Sequence, residues 1–352
     1  MKILITGIAG FVGSRLAIGI SDRFPDWNVT GIDNLSRRGS ETNLPVLRKR
    51  GILFIHGDVR NREDIEELSS ADWIIDCAAN PSVLAGIDGG AAQVVQHNLS
   101  GTLNLLEKCR RDSCGFLMLS TSRVYAIEAL AGIPMAEGKD RFDPVDHGEF
   151  PAGFSVRGVS ESFSTSAPIS LYGATKLASE VMALEYGATF GFPVWINRCG
   201  VLAGAGQFGK IDQGIFSYWI YQWLLQRPLA YIGFGGGGFQ VRDLFGPDDL
   251  LELLLLQMED PARKSPKILN IGGGIASSLS LRQLSAYCTQ RFGSKHVESK
   301  PETRAFDIPY YVTDHTLAST FWDWHPKRTA TALLDEIADW AVANRPRIEA
   351  GF

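Results

Sequence analysis

Tyr172-Gly-Ala-Thr-Lys176 sets a phenol and an ammonium four residues apart. On a helix, positions i and i+4 share a face, so the two groups would stand side by side. A lysine ammonium beside a phenol favours the phenolate and lowers the phenol's pKa. Tyr172 is then prepared to take a proton from a hydroxyl, or return one, near neutral pH. Lys176 could also hold a cofactor ribose. Upstream, Leu119-Ser-Thr-Ser-Arg-Val-Tyr125 ends an apolar run in hydroxyls. Thr121, with Ser120 and Ser122 beside it, is placed to hydrogen-bond the reacting oxygen. The competing readings are a chance Y-x-x-x-K spacing and hydroxyls that merely cap a strand.

The N-terminus carries a second pattern. The apolar run Met1–Thr6 leads into Gly7-Ile-Ala-Gly10-Phe11-Val12-Gly13 and then a helix-like stretch. Strand, glycine turn and helix form a pyrophosphate site. Gly7 permits the tight turn, Gly10 lets backbone N–H groups approach the anion, and Gly13 lets the helix sit close to the sheet. The spacing is G-x-x-G-x-x-G, and glycines also serve ordinary turns. A second apolar segment ends in Asp33, about twenty positions on, where a carboxylate suits adenosine ribose hydroxyls and repels a 2′-phosphate. NAD is therefore expected over NADP, with Arg37 and Arg38 nearby as the residues that could offset that preference.

These residues need a scaffold, and the first half of the chain alternates strand and helix. Strands are predicted at Lys2–Thr6, Asn28–Asp33, Ile52–Gly57, Trp73–Ala78, Phe116–Ser120 and Pro193–Cys199. Helices are predicted at Phe11–Ser21, Arg62–Ser70, Ala91–Arg111 and Tyr172–Phe190. The fold class is α/β, a Rossmann-type doubly wound parallel sheet, with sites at the carboxyl ends of its strands. Residues 1–200 form the NAD-binding part, with 240–275 contributing. Residues 201–352 form a smaller, interleaved α/β substrate-binding region. There, Asp248–Met258, Leu281–Arg291 and Thr329–Ala343 read as helices and Ile268–Ile271 as a strand. The irregular segment Tyr125–Ser170, rich in Gly, Pro, Ser and acids such as Asp146 and Glu149, is expected to be a lid or wall over the substrate.

Composition narrows the function class. The 352 residues are 45% hydrophobic and 21% charged, ordinary for a globular enzyme, and the net charge of −5 offers no nucleic-acid surface. No apolar run approaches a membrane span. Met1 leads straight into the first strand, which leaves no signal peptide and points to the cytoplasm. The five cysteines are odd in number and spaced for no metal site, so they read as reduced core residues, and no metal is expected.

Seven motifs in order resemble the extended short-chain dehydrogenase/reductase family. They are Thr6-Gly-x-x-Gly-x-x-Gly13, Asp33-Asn34-Leu-Ser, His56-Gly-Asp58-Val59-Arg, Cys77-Ala78-Ala79, Asn98-x-x-Gly-Thr, Ser120-Thr-Ser-x-Val-Tyr125 and Tyr172-x-x-x-Lys176. Nearly the whole chain is covered. The resemblance implies an enzyme acting on nucleotide sugars with Tyr172 as acid/base, Lys176 as its partner and Thr121 as third member. Asp58 and Val59 would contact the adenine, and Ala78, Ala79 and Asn80 the middle of the cofactor, with Asn98 close by. Gln240-Val-Arg242-Asp243 and Arg304-Ala-Phe-Asp307 would bring arginines to a substrate diphosphate, which suits their paired donors. Ser122, Arg123, Gln207 and Gln213 complete the implied substrate site. Members commonly pair through two helices, here Ala91–Arg111 and Tyr172–Phe190, as homodimers or homotetramers.

Within the family, Asp212-Gln-Gly214 and Ser278-Leu-Ser-Leu281 resemble the branch that epimerises CDP-hexoses at C2. The expected reaction is that epimerisation through a 2-keto sugar. A UDP-sugar 4-epimerase, an NAD(P)H-dependent ketosugar reductase and a non-catalytic NAD-binding regulator are the alternatives. Members that eliminate water follow the strand-end threonine with Asp-Glu, where this chain has Ser122 and Arg123. Ala126, Val201 and the longer segment after Ile127 depart from the branch.

Overall fold

A computed structural model describes residues 1–350 except 85, 88, 146–149 and 211–212. Asp146, Glu149 and Asp212 lie outside the described residues. Seven strands form the main sheet: β1 (Lys2–Thr6), β2 (Asn28–Asp33), β3 (Leu53–His56), β4 (Trp73–Asp76), β5 (Gly115–Thr121), β6 (Val194–Cys199) and β7 (Ile268–Ile271). Their order is β7-β6-β5-β4-β1-β2-β3, and every pairing is parallel. The order reverses between β1 and β4, which opens a crevice at their carboxyl ends.

Both faces of this sheet are covered, so its central strands read as continuous apolar runs. Alternate side chains enter opposite cores. Ile3 and Ile5 pack with Leu16 and Ile20 of helix Phe11–Arg23 and with Leu250–Leu254 of helix Pro247–Glu259. Leu4, Ile74 and Phe116 pack on the other side with Leu105 and Leu106 of helix Gly101–Asp112 and Ala183 of helix Ser170–Phe190.

Two predicted helices differ in form. The one from Arg62 ends at Glu66 instead of Ser70. The stretch from Ala91 is helical over Ala91–Val95 and Gly101–Asp112, with one wide π turn over Gln96–Ser100 between them. The Asn98 carbonyl in that turn accepts the hydroxyls of Thr102 at 2.8 Å and Ser179 at 3.1 Å, partners that compete with the regular helical ladder.

A smaller sheet centres on Val241–Phe245. Val201–Leu202 and Tyr310–Tyr311 pair with it in parallel and Ser278–Ser280 antiparallel. Helices Ile215–Leu224, Leu281–Phe292 and Ala330–Ala343 share one core beneath it. Among the described residues no helix is long and apolar enough to cross a membrane. The five cysteines are unpaired.

The irregular segment contains two small hairpins, Met135–Glu137 with Phe142–Pro144 and Phe154–Ser155 with Gly158–Val159. Its apolar residues Leu130, Phe154 and Phe163 pack against Tyr310 and Tyr311. The Phe142 N–H donates to Phe239 O at 2.9 Å. Among the described residues, none from 126 to 170 lines the central cavity, which runs against the expectation of a wall there. The segment's described hydrophobic residues are buried against the smaller sheet.

Candidate active site

One cavity of about 490 Å³ runs from the glycine turn, past the ends of β4, β5 and β6, to the smaller sheet. At its first end Gly7 holds φ +62, and a Cβ on Gly13 would lie 2.3 Å from the Gly7 carbonyl oxygen. Only glycines keep this turn tight and bare. Gly7, Gly10, Phe11, Val12 and Gly13 all line the cavity, as do Asp33 and Asn34. Asp33 accepts N–H groups from Ala9 at 3.0 Å and Leu35 at 2.8 Å. Burial nevertheless raises its pKa.

Asp58 and Val59 part company. Val59 lines the cavity, whereas Asp58 does not. Its carboxylate is forked by Arg60 at 2.9 and 2.6 Å and accepts Asn34 Nδ2 at 2.8 Å. Those contacts, Arg60 foremost, hold it far below the usual carboxylate range. Ala78 and Ala79 are on the wall, and Asn80 and Asn98 stand behind it. Asn98 accepts the Asn80 N–H at 2.8 Å and donates to Thr175 Oγ1 at 3.1 Å, so it ties the cofactor-side loop to the helix of Tyr172.

Thr121 ends β5 and Tyr172 lies in the first turn of helix Ser170–Phe190, and both line the cavity. Thr121 stands close enough to Tyr172 for its hydroxyl to lower the phenol's pKa. Gly173 makes the approach possible, since a Cβ there would lie 2.2 Å from the Arg123 carbonyl oxygen. The acidity expected of Tyr172 is corrected. Burial pushes the phenol up to about 12, and the Thr121 hydroxyl and Arg123 charge only partly offset it. Lys176 is buried behind the wall. Its charge falls on the Cys77 and Cys199 thiols, so desolvation governs the phenol.

At the far end Arg123, Arg242 and Arg304 converge around Asp307. Arg242 lies 3.4 Å and Arg304 3.6 Å from its carboxylate. Arg123 donates to Phe306 O at 3.3 Å, and its backbone N–H donates to Thr121 Oγ1 at 3.1 Å. Burial, with Arg123 and Arg304 adding repulsion, pushes Arg242 down to about 10, still a cation at neutral pH. Three cations gather here, faced by Asp307 and with Asp243 also acting on Arg242, an arrangement suited to an anion.

Ser122, Gln207, Gln213 and Gln240 also line the cavity. The Gln207 amide is already engaged within its loop, donating to Leu202 O at 2.8 Å and accepting the Ser217 hydroxyl at 2.9 Å. Gln240 donates to Ile232 O at 3.0 Å. Sequence reasoning missed the buried Glu180–Arg198 pair, although Glu180 continues the helical spacing of Tyr172 and Lys176. It also missed the contact of the Arg37 guanidinium with Phe208 O, which joins the cofactor side to the substrate loop.

The signature described as the NAD dependent epimerase/dehydratase family matches residues 3–272. The chain belongs to that family. It is an enzyme acting on carbohydrates, with NAD as its cofactor, and the glycine cradle beside Asp33 fits that group. It is 31% identical to the CDP-paratose 2-epimerase of Salmonella typhi, over 97% of this chain and 99% of that one. It is 25% identical to the UDP-glucuronate 4-epimerase of Thermodesulfobacterium geofontis, over 97% and 96%. The crystal structure of UDP-glucuronic acid 4-epimerase from Bacillus cereus with UDP-glucuronic acid and NAD superposes with a TM-score of 0.76, at 25% identity over 97% of this chain and 99% of that one.

Proposed function

We propose that this protein epimerises a nucleotide-linked hexose at C2, with a CDP-hexose of the glucose or paratose type as substrate. The observation that carries the reaction class is the Thr121–Tyr172 pair standing between the glycine turn and the arginine cluster in one cavity. Likeness over nearly the full length to the Salmonella typhi 2-epimerase supports the carbon and the base.

The phenolate form of Tyr172 takes the proton from the sugar 2-hydroxyl and Thr121 holds the same oxygen; the Thr121 hydroxyl and the Arg123 charge favour that form against burial. NAD, when bound, supplies a hydride acceptor that returns the hydride, so no outside reductant is needed. Arg123, Arg242 and Arg304 hold the diphosphate while the 2-keto sugar turns to present its other face. Return of the proton by Tyr172 completes the cycle. Water elimination is disfavoured at positions 122 and 123. Ser122 is a weak acid, and Arg123 stays protonated, so neither supplies the carboxyl pair that elimination needs.

Proton NMR of the purified protein with CDP-glucose, CDP-paratose and UDP-glucose, without added cofactor, tests this. A gluco-to-manno change in the C2 coupling is expected with a CDP-sugar. A galacto product from UDP-glucose would replace this reading with 4-epimerisation. Loss of turnover in Tyr172→Phe, with NAD still bound, is expected as well.

We further propose that two copies pair through helices Ala91–Val95, Gly101–Asp112 and Ser170–Phe190, whose Val95, Val181 and Phe190 are exposed apolar residues. Sedimentation should give twice 38.5 kDa; the single-chain mass would refute the pairing.

A further inference from the structure

Beneath Thr121 and Tyr172 lies a buried ionic network that the proposed reaction does not touch. Tyr172, Lys176 and Glu180 follow one another at helical spacing, on one face of their helix. Glu180 is 1% exposed and Arg198, on β6, is 4% exposed. The Arg198 Nε lies 3.1 Å from both Glu180 oxygens, and its Nη2 donates to Oε2 at 2.6 Å. Ser120, next to Thr121, donates its hydroxyl to the same carboxylate. Arg198 Nη1 donates to Tyr125 OH at 3.3 Å, and Tyr125 OH donates to Asn270 Oδ1 at 2.6 Å. Asn270, on β7, is held by the irregular segment. Its Nδ2 donates to Val159 O at 2.9 Å, and its backbone N–H donates to Glu161 Oε1 at 2.6 Å.

Stability alone does not account for this arrangement. A buried ion pair recovers its desolvation cost only with excellent geometry, and apolar residues of similar volume often serve as well. A forked guanidinium–carboxylate contact adds direction. Four elements meet here: β5 through Ser120, β6 through Arg198, β7 through Asn270 and the helix through Glu180. In the sheet register Arg198 stands opposite Ser120 and Cys199 opposite Thr121. Rotation or sliding of the helix on β5 would therefore move Tyr172 relative to Thr121. The glycine turn and the far arginines Arg242 and Arg304, on other elements, would stay in place.

We propose that Glu180 and Arg198 are positioning residues. The pair sets the rotation and height of helix Ser170–Phe190 on β5, and hence the Thr121–Tyr172 contact. Val159 and Glu161 of the irregular segment clamp the far end of the network through Asn270. This inference rests on the reading of Tyr172 as the acid/base group.

The double variant Glu180→Leu/Arg198→Met removes both charges at nearly constant volume. NAD content, thermal midpoint, kcat, KM and the pH profile of kcat are measured with CDP-glucose. The expected result is a loss of kcat of about 10- to 100-fold, a displaced basic limb, and NAD content and KM near those of the wild type. An unchanged kcat per NAD-loaded chain, whatever the midpoint, would overturn the inference. If the double variant does not fold, Arg198→Lys keeps the charge and loses the fork. A lower kcat at constant KM in that variant supports the inference, and an unchanged kcat overturns it. Tyr172→Phe is run alongside. Turnover by that variant would remove the acid/base reading itself. Its inactivity beside a fully active double variant would remove only the positioning inference.

Discussion

Thr6 and Asp76 join the carboxyl ends of β1 and β4. The threonine hydroxyl donates to the buried carboxylate at 2.7 Å and accepts the N–H groups of Cys77 and Ala78 at 3.1 and 3.0 Å. One side chain thus closes the strand pair at the crevice and shapes the loop that carries Ala78 and Ala79.

Thr6→Val keeps the shape and removes every one of these bonds. Among the described residues the carboxylate then keeps the Thr102 hydroxyl, at 3.3 Å, as its side-chain donor. Unfolding free energy should fall by about 2 kcal/mol or more, because buried groups are left unpaired. NAD content should fall with it. Urea denaturation and absorbance of released NAD check the two effects.

Gly13→Ala tests the cradle. Its Cβ would lie 2.3 Å from the Gly7 carbonyl oxygen and 2.9 Å from the Ile8 Cα, both backbone atoms. The turn must open, at a cost of about 1–3 kcal/mol. The purified variant should be folded by circular dichroism and nearly free of NAD. Full NAD content would show that the turn does not hold the cofactor.

Asp243 gives a pH dependence. It is fully buried, its Oδ2 accepts the Gly274 N–H at 3.1 Å, and burial pushes its pKa up from 3.8 to about 6. Between those values the folded chain holds a proton that the unfolded chain has released. This group's stability contribution is present below pH 4 and is lost as pH rises through 6. Relative to the wild type, Asp243→Asn should gain on the order of 3 kcal/mol across that window. Urea midpoints from pH 4 to 7 measure it. A constant difference between the two proteins would exclude a shifted Asp243.

Arg242→Met addresses the anion end. Arg242 donates to Val241 O at 2.7 Å and Ile308 O at 2.8 Å, which aims its remaining donors. Affinity for CDP should drop about 10- to 100-fold, the scale of a charged hydrogen bond, with NAD content unchanged. Calorimetric titration with CDP decides it, and unchanged affinity would move the diphosphate elsewhere.

Much of the scaffold was legible because it depends on local chemistry. β1, β2 and β7 have the bounds that their apolar runs predicted, and the glycine spacing located the cradle. Ser122, Arg123, Gln207, Gln213, Gln240, Arg242 and Arg304 all reach one cavity. Motifs at strand ends converge there by the parallel topology itself. What the segment 126–170 packs against was not legible, since its hydrophobic residues have no regular period and their partners Tyr310 and Tyr311 are distant in the chain.

The sequence by itself determined the α/β alternation, the cofactor turn and the residue types available for proton transfer, because these rest on periodicity, backbone freedom and functional groups. Only the tertiary structure decided how those groups behave. Burial raises the Tyr172 phenol's pKa despite its lysine neighbour in sequence. Asp58 is spent on Arg60 and Gln207 on its own loop. Glu180 finds Arg198 across 18 positions of chain. Desolvation and hydrogen-bond partners depend on which surfaces meet in three dimensions, and residue spacing along the chain carries no measure of either.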